Sequence, residues 1–295
     1  MISLSFRPHE SDKQLDGKLG KFLDQSAYDL LINNKTHPEP IELKDAITGV
    51  TFGVWVPKSL PLEFCLNAFQ GLREAATATT NRGIASGESK MRLRKDGSVS
   101  KTRIGNAVDS SVIGYFDRYP RMNYCRACAW NYARPNEWAL AVPMIEEISR
   151  LFKLYAFEKY SYQATVAAKV KKDWLIGDSI FSTVTVNKNF RTALHRDGLN
   201  LADSFSAFNV LRAGNFIGGN LVFPRYRIAI SADNQDLLFF MPQEPHGNTE
   251  MKAINGKKYE RISLVYYLRD KMRNCGTQEE ELERGRRYHS GLETP

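Results

Sequence analysis

Residues 181–197 have the sequence FSTVTVNKNFRTALHRD, whose first part is an alternating, β-branched run typical of a strand. If extended structure resumes at His195, a period of two places His195 and Asp197 on one face and Arg196 on the other. An imidazole and a carboxylate on one face suit Fe(II) better than a soft ion that selects thiolates. We therefore predict a metal site next to a β-strand.

A second histidine, His246, follows Asp197 after 49 residues, in the segment PQEPHG (242–247). The preceding apolar segment DLLFFM (236–241) predicts a strand, and the prolines and glycine predict a loop that holds His246 against the first pair. Two histidines and one carboxylate on one face of a metal leave its other positions open, which is typical of non-haem Fe(II) oxygenases. The predicted metal ligands are His195, Asp197 and His246.

An Arg-x-Ser pair begins 15 residues after His246, in the alternating run RISLVYYL (261–268), so Arg261 and Ser263 share a face. A guanidinium binds a carboxylate through a bidentate fork, and a serine hydroxyl adds one donor. An Fe(II)/2-oxoglutarate oxygenase needs such a clamp for the distal carboxylate of its co-substrate. A lone histidine is more often structural, and a buried arginine more often closes an ion pair. Order, spacing and strand context together favour the functional interpretation.

Composition bounds the class of protein. The chain has 295 residues, enough for one or two domains, and no stretch approaches the roughly 20 apolar residues of a membrane helix. The N-terminus has no apolar signal-peptide core, so we expect an intracellular protein, cytoplasmic or nuclear, that is not secreted. The four cysteines predict no secreted disulfide framework, and Cys125-x-x-Cys128 is interpreted as a coincidence because no second pair completes a zinc site.

The net charge of +8 and the sequence pI of about 9.2 indicate a polyanionic partner. Basic side chains concentrate between residues 82 and 103, among glycines, serines and threonines. One interpretation is a mobile basic loop that contacts DNA phosphates; the other is a solvated linker. The predicted phosphate contacts are Arg92, Arg94 and Lys95.

The pattern along the chain predicts an α+β protein, with a double-stranded β-helix (a cupin-like jelly roll) flanked by helices. Helices are expected at 61–80, at 137–153 and, after a break, at 155–171, and short strands at 49–56, at 112–115 and from 180 to 268. We predict three parts. Residues 1–108 form an N-terminal extension with a helix and the basic Gly/Ser loop, packed on or continuous with the catalytic domain. Residues 109–273 form the double-stranded β-helix oxygenase domain, and residues 274–295 a polar tail, either a solvated helix or a loose end.

Three runs, HRDGLN (195–200), PHG (245–247) and RISLVYY (261–267), closely resemble the TET/JBP family of Fe(II)/2-oxoglutarate oxygenases, which hydroxylate the 5-methyl group of a DNA pyrimidine. GYFDRYP (114–120) and VTVNKN (184–189) are similar to compact phage and bacterial members. The resemblance covers roughly residues 110–273. It implies Fe(II), 2-oxoglutarate and O2, release of succinate and CO2, and a flipped thymine or 5-methylcytosine as substrate. We expect a monomer that binds DNA and no membrane.

The resemblance also implies residue roles. Arg261 and Ser263 would hold the C5 carboxylate of 2-oxoglutarate, and Arg126 its other carboxylate. Asn200 would hydrogen-bond the flipped base, in a pocket lined by Thr185 and Tyr267. The alternatives are a turn residue for Asn200 and strand packing for the other two. The chain departs from animal TET enzymes because four cysteines cannot rebuild their Cys-rich zinc region, so CpG reading is not carried over.

Two other functions stay open on sequence. One is a 2-oxoglutarate oxygenase that hydroxylates a protein side chain or a small metabolite. The other is a non-catalytic module that binds modified DNA. The intact triad with Arg261 argues against the second, and the basic segment with Asn200 argues against the first. Thymine and 5-methylcytosine are not distinguished at this point.

Overall fold

The computed structural model describes residues 1–87, 90–94, 96–198 and 200–291, and for residues 90–93 and 100–104 it describes the backbone alone. The strands are β1 (Ile2–Phe6), β2 (Leu30–Asn33), β3 (Ile41–Asp45), β4 (Thr51–Val56), β5 (Ala78–Thr79), β6 (Lys90–Leu93), β7 (Val99–Ile104), β8 (Val108–Phe116), β9 (Arg126–Ala127), β10 (Thr183–Lys188), β11 (Ser206–Ala213), β12 (Phe216–Gly218), β13 (Leu221–Phe223), β14 (Ile228–Ser231), β15 (Leu237–Phe240), β16 (Gly247–Asn248), β17 (Met251–Ala253) and β18 (Glu260–Tyr267). The helices are α1 (Asp12–Asp16), α2 (Leu62–Leu72), α3 (Ala129–Ala133), α4 (Pro135–Tyr155), α5 (Phe157–Ala167) and α6 (Gln278–His289).

Two sheets face each other. The larger has the order β1-β3-β4-β15-β11-β18-β10-β8-β5, with β9 paired to β8, and the smaller has the order β16-β13-β14-β2. A hydrophobic core with side chains from both sheets lies between them, and within it Phe52 and Tyr226 stack with ring centroids 4.0 Å apart. Such a core forms because alternate residues of each strand point to the same side. The facing sheets confirm the predicted jelly roll.

Helices cover the other face of the larger sheet. Ile262, Leu264 and Tyr266 of β18 pack there in a second core, together with side chains of α2, α4 and α5. The ring of Phe152 in α4 stacks on Phe239 of β15 at 4.8 Å. The residues of β18 that alternate with Ile262, Leu264 and Tyr266 therefore face the inside of the jelly roll. Among the residues that the structure describes, no helix is long and apolar enough to cross a membrane.

The N-terminal residues contribute to both sheets. Strands β1, β3 and β4 extend the larger sheet beyond β15, and β2 pairs in parallel with β14 at the edge of the smaller one. This pairing supports an N-terminal part that is continuous with the jelly roll. The division of the chain at residues 108 and 273 stays a prediction.

Two expectations about residues 61–103 are wrong. Helix α2 ends at Leu72 rather than near residue 80, and a short strand, β5, follows. The basic segment is a hairpin of β6 and β7 and not only a loop. Its turn is made by Asp96, whose carboxylate accepts from the Ser98 amide at 2.9 Å, and by Gly97 at φ +81°. Asp-Gly at a turn favours a hairpin, and that signal competes with the many glycines and serines of the segment, which favour a loop.

The C-terminal segment is not a loose end. Helix α6 is fixed by Glu281, a fully buried carboxylate that accepts from the backbone amides of Cys125 at 2.7 Å and Gly276 at 2.8 Å and pairs with Arg118. A disulfide joins Cys125 to Cys275 across 150 residues, whereas Cys128 is free. No disulfide was expected from the cysteine pattern, because only the folded chain brings these two cysteines together.

Candidate active site

The three predicted metal ligands lie together at one end of the jelly roll. His195 and His246 form an isolated antiparallel bridge, with backbone hydrogen bonds of 2.9 Å and 3.0 Å between them. The Asp197 amide donates to the Pro242 carbonyl at 2.8 Å, so the two loops that carry the ligands are joined at two places. The expected strand at His195 is thus reduced to a single bridge, and the alternation still places His195 and Asp197 on one side.

Backbone contacts fix the orientation of both imidazole rings. Nδ1 of His195 lies 2.8 Å from the Ala193 carbonyl oxygen, and Nδ1 of His246 lies 2.8 Å from that of Glu244. A ring that donates from Nδ1 keeps Nε2 as its acceptor, which is the atom that ligates a metal. Both Nε2 atoms face Asp197, at 3.3 Å from Oδ1 for His195 and 3.8 Å from Oδ2 for His246.

The charges at this site are strongly coupled. Burial, followed by the charge of His195, lowers the pKa of His246 to about 4. Burial is also the largest single influence on His195 and opposes its protonation, but the hydrogen bond to Asp197, the charge of Asp197 and the backbone contacts together outweigh burial and raise the pKa of His195. For Asp197, burial would raise the pKa, and contacts with the two histidines lower it instead. An ionised carboxylate beside a neutral His246 matches the protonation state that metal binding requires.

The donor set fits a divalent metal. Candidate ligand atoms from His195, Asp197 and His246 all lie within 4.8 Å of one another. Neighbouring N and O ligands at bond lengths of about 2.1 Å lie roughly 3 Å apart around a metal. Small shifts of the three side chains would therefore bring their ligand atoms to the distances that a metal requires. Two imidazoles and one carboxylate on one side are the arrangement of non-haem Fe(II) sites with open positions.

Arg261 is a buried cation with no acidic partner among the described residues. It begins the inward-facing row of β18, its Nη2 donates to the Gly219 carbonyl at 3.0 Å, and its amide donates to Asn189 Oδ1 at 2.8 Å. Burial, with a contribution from the charge of Arg212, lowers the pKa of Arg261 to about 10. The guanidinium remains charged at neutral pH, so the interior holds a positive charge that an anionic ligand would stabilise.

Glycine is favoured beside this guanidinium. Gly219 has φ +70°, and a Cβ atom there would lie 3.0 Å from Nε of Arg261. A side chain at Gly219 would be strained at that φ and would displace the guanidinium, so glycine is favoured there. The turn before β13 therefore forms one wall of the Arg261 site.

A single cavity of about 650 Å³ connects the metal ligands with Arg261. Inward-facing residues of β18 line it in the order Arg261, Ser263, Val265 and Tyr267, beside Thr185 of the adjacent β10. Phe208, Leu221 and Phe240 add apolar walls. Apolar walls with a few converging polar groups are typical of sites for small ligands.

The remaining residues expected in the pocket also line this cavity. Arg126 lies over aromatic rings, 5.0 Å from the Tyr119 centroid and 5.2 Å from that of Phe116. Burial raises the pKa of Tyr267, so its phenol stays neutral. Asn200 donates through Nδ2 to Ser206 Oγ at 2.6 Å, which leaves its Oδ1 as an acceptor.

The residues predicted to contact DNA phosphates, in the basic segment 82–103, do not line this cavity where the structure describes them. Arg94 is exposed, the side chain of Arg92 is not described, and Lys95 lies outside the described residues. Arg82, the first basic residue of the same segment, instead lines the cavity and donates from Nε to Ser110 Oγ at 2.6 Å. Burial lowers the pKa of Arg82, and the charge of Asp197 opposes that shift.

Two further cavity residues were missed by sequence reasoning. Arg269 forms a buried ion pair with Asp117 and lies 5.4 Å from the Phe116 centroid. It also forms an isolated bridge with Asn200, which places the two residues side by side. Asn187 accepts from Ser110 Oγ at 2.5 Å. Asn187 and Arg269 continue the inward alternation of β10 and β18, and that pattern was the available signal for both.

The comparisons with known proteins agree with this geometry. The Tet_JBP family model, described as the oxygenase domain of the 2OGFeDO superfamily, matches residues 111–270. Thymine dioxygenase JBP1 of Trypanosoma brucei brucei is 30% identical over 224 residues, which are 75% of this chain and 24% of that protein. The bifunctional helicase and thymine dioxygenase JBP2 of Trypanosoma brucei brucei strain 927/4 GUTat10.1 is 28% identical over 259 residues, 86% of this chain and 21% of that protein.

A solved structure of NgTET1 in complex with 5mC DNA superposes with a TM-score of 0.56 and 15% identity, covering 94% of this chain and 99% of that one. At that identity the likeness concerns the fold alone. The chain spans about a quarter or less of the length of the two curated relatives named above.

Proposed function

The chain belongs to the Tet_JBP family of oxygenase domains, and we propose that it hydroxylates the 5-methyl group of thymine or 5-methylcytosine in DNA, using Fe(II), 2-oxoglutarate and O2. One observation carries the proposal. The His195, Asp197 and His246 set lines the same cavity as the guanidinium of Arg261, which has no acidic partner among the residues that the structure describes. A module that only bound modified DNA would not need this combination.

The cavity has a place for each cofactor. His195, Asp197 and His246 would hold the iron, and Arg261 with Ser263 would hold the C5 carboxylate of 2-oxoglutarate. When bound, iron and 2-oxoglutarate together activate O2, with release of succinate and CO2. The protein supplies ligands, orientation and a water-poor enclosure, and the apolar side chains around His246 contribute to the last of these. The ring of Phe240 lies 5.0 Å from that of His246.

The second carboxylate of 2-oxoglutarate has two candidate partners. Arg126 was expected from the sequence, and its guanidinium lies over aromatic rings at the cavity wall. Arg82 lies close enough to the metal ligands for its charge to affect Asp197, and Ser110 is the acceptor for its Nε. The effect of its charge on Asp197 supports Arg82 for this role, because the carboxylate next to the keto group would be held near the metal ligands.

The base must leave the DNA stack to reach a buried metal, at a cost of a few kcal/mol. Tyr267 and Thr185 offer a wall for the flipped pyrimidine, and Asn200 offers an acceptor at the rim. Contacts between phosphates and basic side chains offset the cost of flipping, which fits a net charge of +8.

We infer thymine as the preferred base, from two cavity residues that an isolated bridge brings side by side, Asn200 and Arg269. Arg269 carries donors only, and the Oδ1 of Asn200 is left as an acceptor. Thymine presents an acceptor at O4 next to a donor at N3, whereas 5-methylcytosine presents a donor at C4 next to an acceptor at N3. The donor of Arg269 beside the acceptor of Asn200 therefore complements thymine. The names of the JBP1 and JBP2 relatives as thymine dioxygenases support the same choice.

Nucleoside mass spectrometry tests the proposal. The chain is incubated with Fe(II), 2-oxoglutarate and O2 on two duplexes, one with thymine as its only methylated pyrimidine and one that adds 5-methylcytosine. We expect 5-hydroxymethyluracil from both and less 5-hydroxymethylcytosine. If neither base gains an oxygen while a peptide or a free metabolite does, the other oxygenase function is correct. The monomeric state and the intracellular location stay predictions.

A further inference from the structure

The N-terminal segment (residues 9–24) lies against the loop that carries two of the proposed metal ligands, although it precedes the part of the chain that the family model matches. The Gly20 amide donates to the Leu194 carbonyl at 2.8 Å, and the Leu194 amide donates to the Lys21 carbonyl at 2.9 Å. Leu194 immediately precedes His195. The segment therefore holds the backbone next to a ligand directly.

The side chains below this contact form a separate small core. Leu15 and Leu194 are both fully buried in it, with Leu23, Val222 and Ala229. The segment is also attached further along, because Arg191 donates from Nη2 to the Leu23 carbonyl at 2.8 Å and lies 4.8 Å from the Phe22 ring centroid. This core fixes the distance between the smaller sheet and the loop that carries His195 and Asp197.

One carboxylate of the segment reaches both ligand loops. Oδ1 of Asp12 accepts from Nη2 of Arg196 at 2.8 Å and from Nη2 of Arg225 at 2.5 Å. Arg196 lies between His195 and Asp197 and donates through its other Nη to the Gln243 carbonyl at 2.6 Å.

Arg225 leads to the second loop. Its Nε donates to the Glu244 carboxylate at 2.8 Å, and the Glu244 carbonyl oxygen contacts Nδ1 of His246 at 2.8 Å. Asp12 is therefore connected to both histidines through one arginine on each side.

We propose that the N-terminal segment positions the metal ligands, with Leu15 and Asp12 as its positioning residues. Leu15 supports the loop of His195 and Asp197 by packing in the same small core as Leu194. Asp12 sets the spacing of that loop relative to the loop of His246, through Arg196 and Arg225. Contacts that orient ligands typically change metal affinity by about 10–100-fold when they are removed. The inference rests on the proposed metal site.

The test is a titration of the metal-free full chain with Co(II), followed by visible absorption. Leu15→Ala is expected to weaken Co(II) binding about tenfold and to change the band shape, because the ligands no longer converge in one geometry. The matched control is Leu43→Ala, a fully buried leucine of β3 in the core between the sheets. It should lower the melting temperature by a similar amount and leave the affinity and the bands unchanged.

A second variant addresses the charge. Asp12→Asn should weaken Co(II) binding by about threefold to tenfold, a small effect because exposed ion pairs are individually weak. The difference from the unmodified chain should shrink as salt is added, since screening already weakens the pairs. Asp29→Asn is the control, because it removes an equally exposed Asp–Arg pair, with Arg227, beside the edge of the smaller sheet.

The outcomes separate the two proposals. If the unmodified chain fails to bind Co(II), the metal site is wrong, and this inference falls with it. If the unmodified chain binds Co(II) and both variants match their controls in affinity and band shape, the N-terminal segment has only a structural role. If Leu15→Ala does not fold, the Asp12→Asn variant decides by itself. The inference is overturned if Asp12→Asn and Asp29→Asn bind Co(II) with the same affinity at every salt concentration.

Discussion

The cavity around His195 and the turn of the hairpin formed by β6 and β7 differ in how their described polar side chains are held. In the cavity, each imidazole is oriented by a backbone carbonyl, and Arg261 is enclosed by β18 and the Gly219 turn. In the hairpin, the Asp96-Gly97 turn joins strands β6 and β7, and the side chain of Arg94 is exposed.

The difference follows from the chemistry required of each region. A metal and a carboxylate need ligand atoms in fixed positions, so the cavity residues depend on register and on a supporting layer. A phosphate backbone needs positive charge nearby, and many geometries satisfy that requirement. Single substitutions should therefore have large effects in the cavity, up to complete loss of activity at the metal ligands, and should reduce function only gradually in the hairpin.

The largest expected effect is at the metal ligands. His195→Ala or Asp197→Ala should reduce succinate formation to background, because two ligands do not retain the iron. Far-UV circular dichroism should show an intact fold, and His37→Ala, a histidine outside the cavity, should behave like the unmodified chain. Full turnover in either ligand variant would remove the triad assignment.

The next effect concerns the co-substrate clamp. Arg261→Ala should weaken 2-oxoglutarate binding by more than about tenfold, since losing one partner of a buried charged pair costs about 2–5 kcal/mol. Iron should still bind, and Arg261→Lys should retain part of the affinity because it keeps the charge without the fork.

Arg212→Ala is the matched control, because Arg212 is the cross-strand neighbour of Arg261 and stacks on Phe216 instead of lining the cavity. An apparent affinity for 2-oxoglutarate that does not change in Arg261→Ala would reject the clamp.

A smaller effect is expected at Asn200, the residue proposed to bind the flipped base. Asn200→Ala should reduce turnover on DNA by about tenfold, the typical consequence of leaving one polar group unpaired. Uncoupled decay of 2-oxoglutarate should persist, because the metal ligands and Arg261 are unchanged. Ser206→Ala removes the partner of the Asn200 amide and should have a weaker effect. Equal losses in coupled and uncoupled turnover would contradict a role in base binding.

The smallest and most graded effect is expected in the hairpin. Replacing Arg92, Arg94 and Lys95 by glutamine should weaken DNA binding and lower its salt slope by about one for each phosphate that is no longer bound. The control replaces three exposed lysines on the helical side of the larger sheet. These are Lys169, Lys171 and Lys172. If both triple variants keep the slope of the unmodified chain, the hairpin is solvated and binds no phosphate.

Local patterns predicted the parts that depend on a short stretch of chain. Alternation in β10 and β18 predicted which side chains face inward, and apolar periodicity predicted α4 and α5. The length of α2, the hairpin and the anchoring of α6 were not predicted correctly. In each case a contact from a distant part of the chain, or an Asp-Gly turn within a segment rich in glycine and serine, outweighed the local pattern.

The sequence by itself determined which residues are proposed for the chemistry of the site, because ligand type, order and spacing along strands can be read from the linear chain. His195, Asp197, His246, Arg261 and Ser263 were assigned on that basis. The tertiary structure decided which further groups come close to them. Asp12, Arg82 and Arg269 come from segments far apart in sequence, and their place at the site depends on how two sheets and an N-terminal segment pack. Packing is a property of three-dimensional contacts, which periodicity in one dimension does not encode.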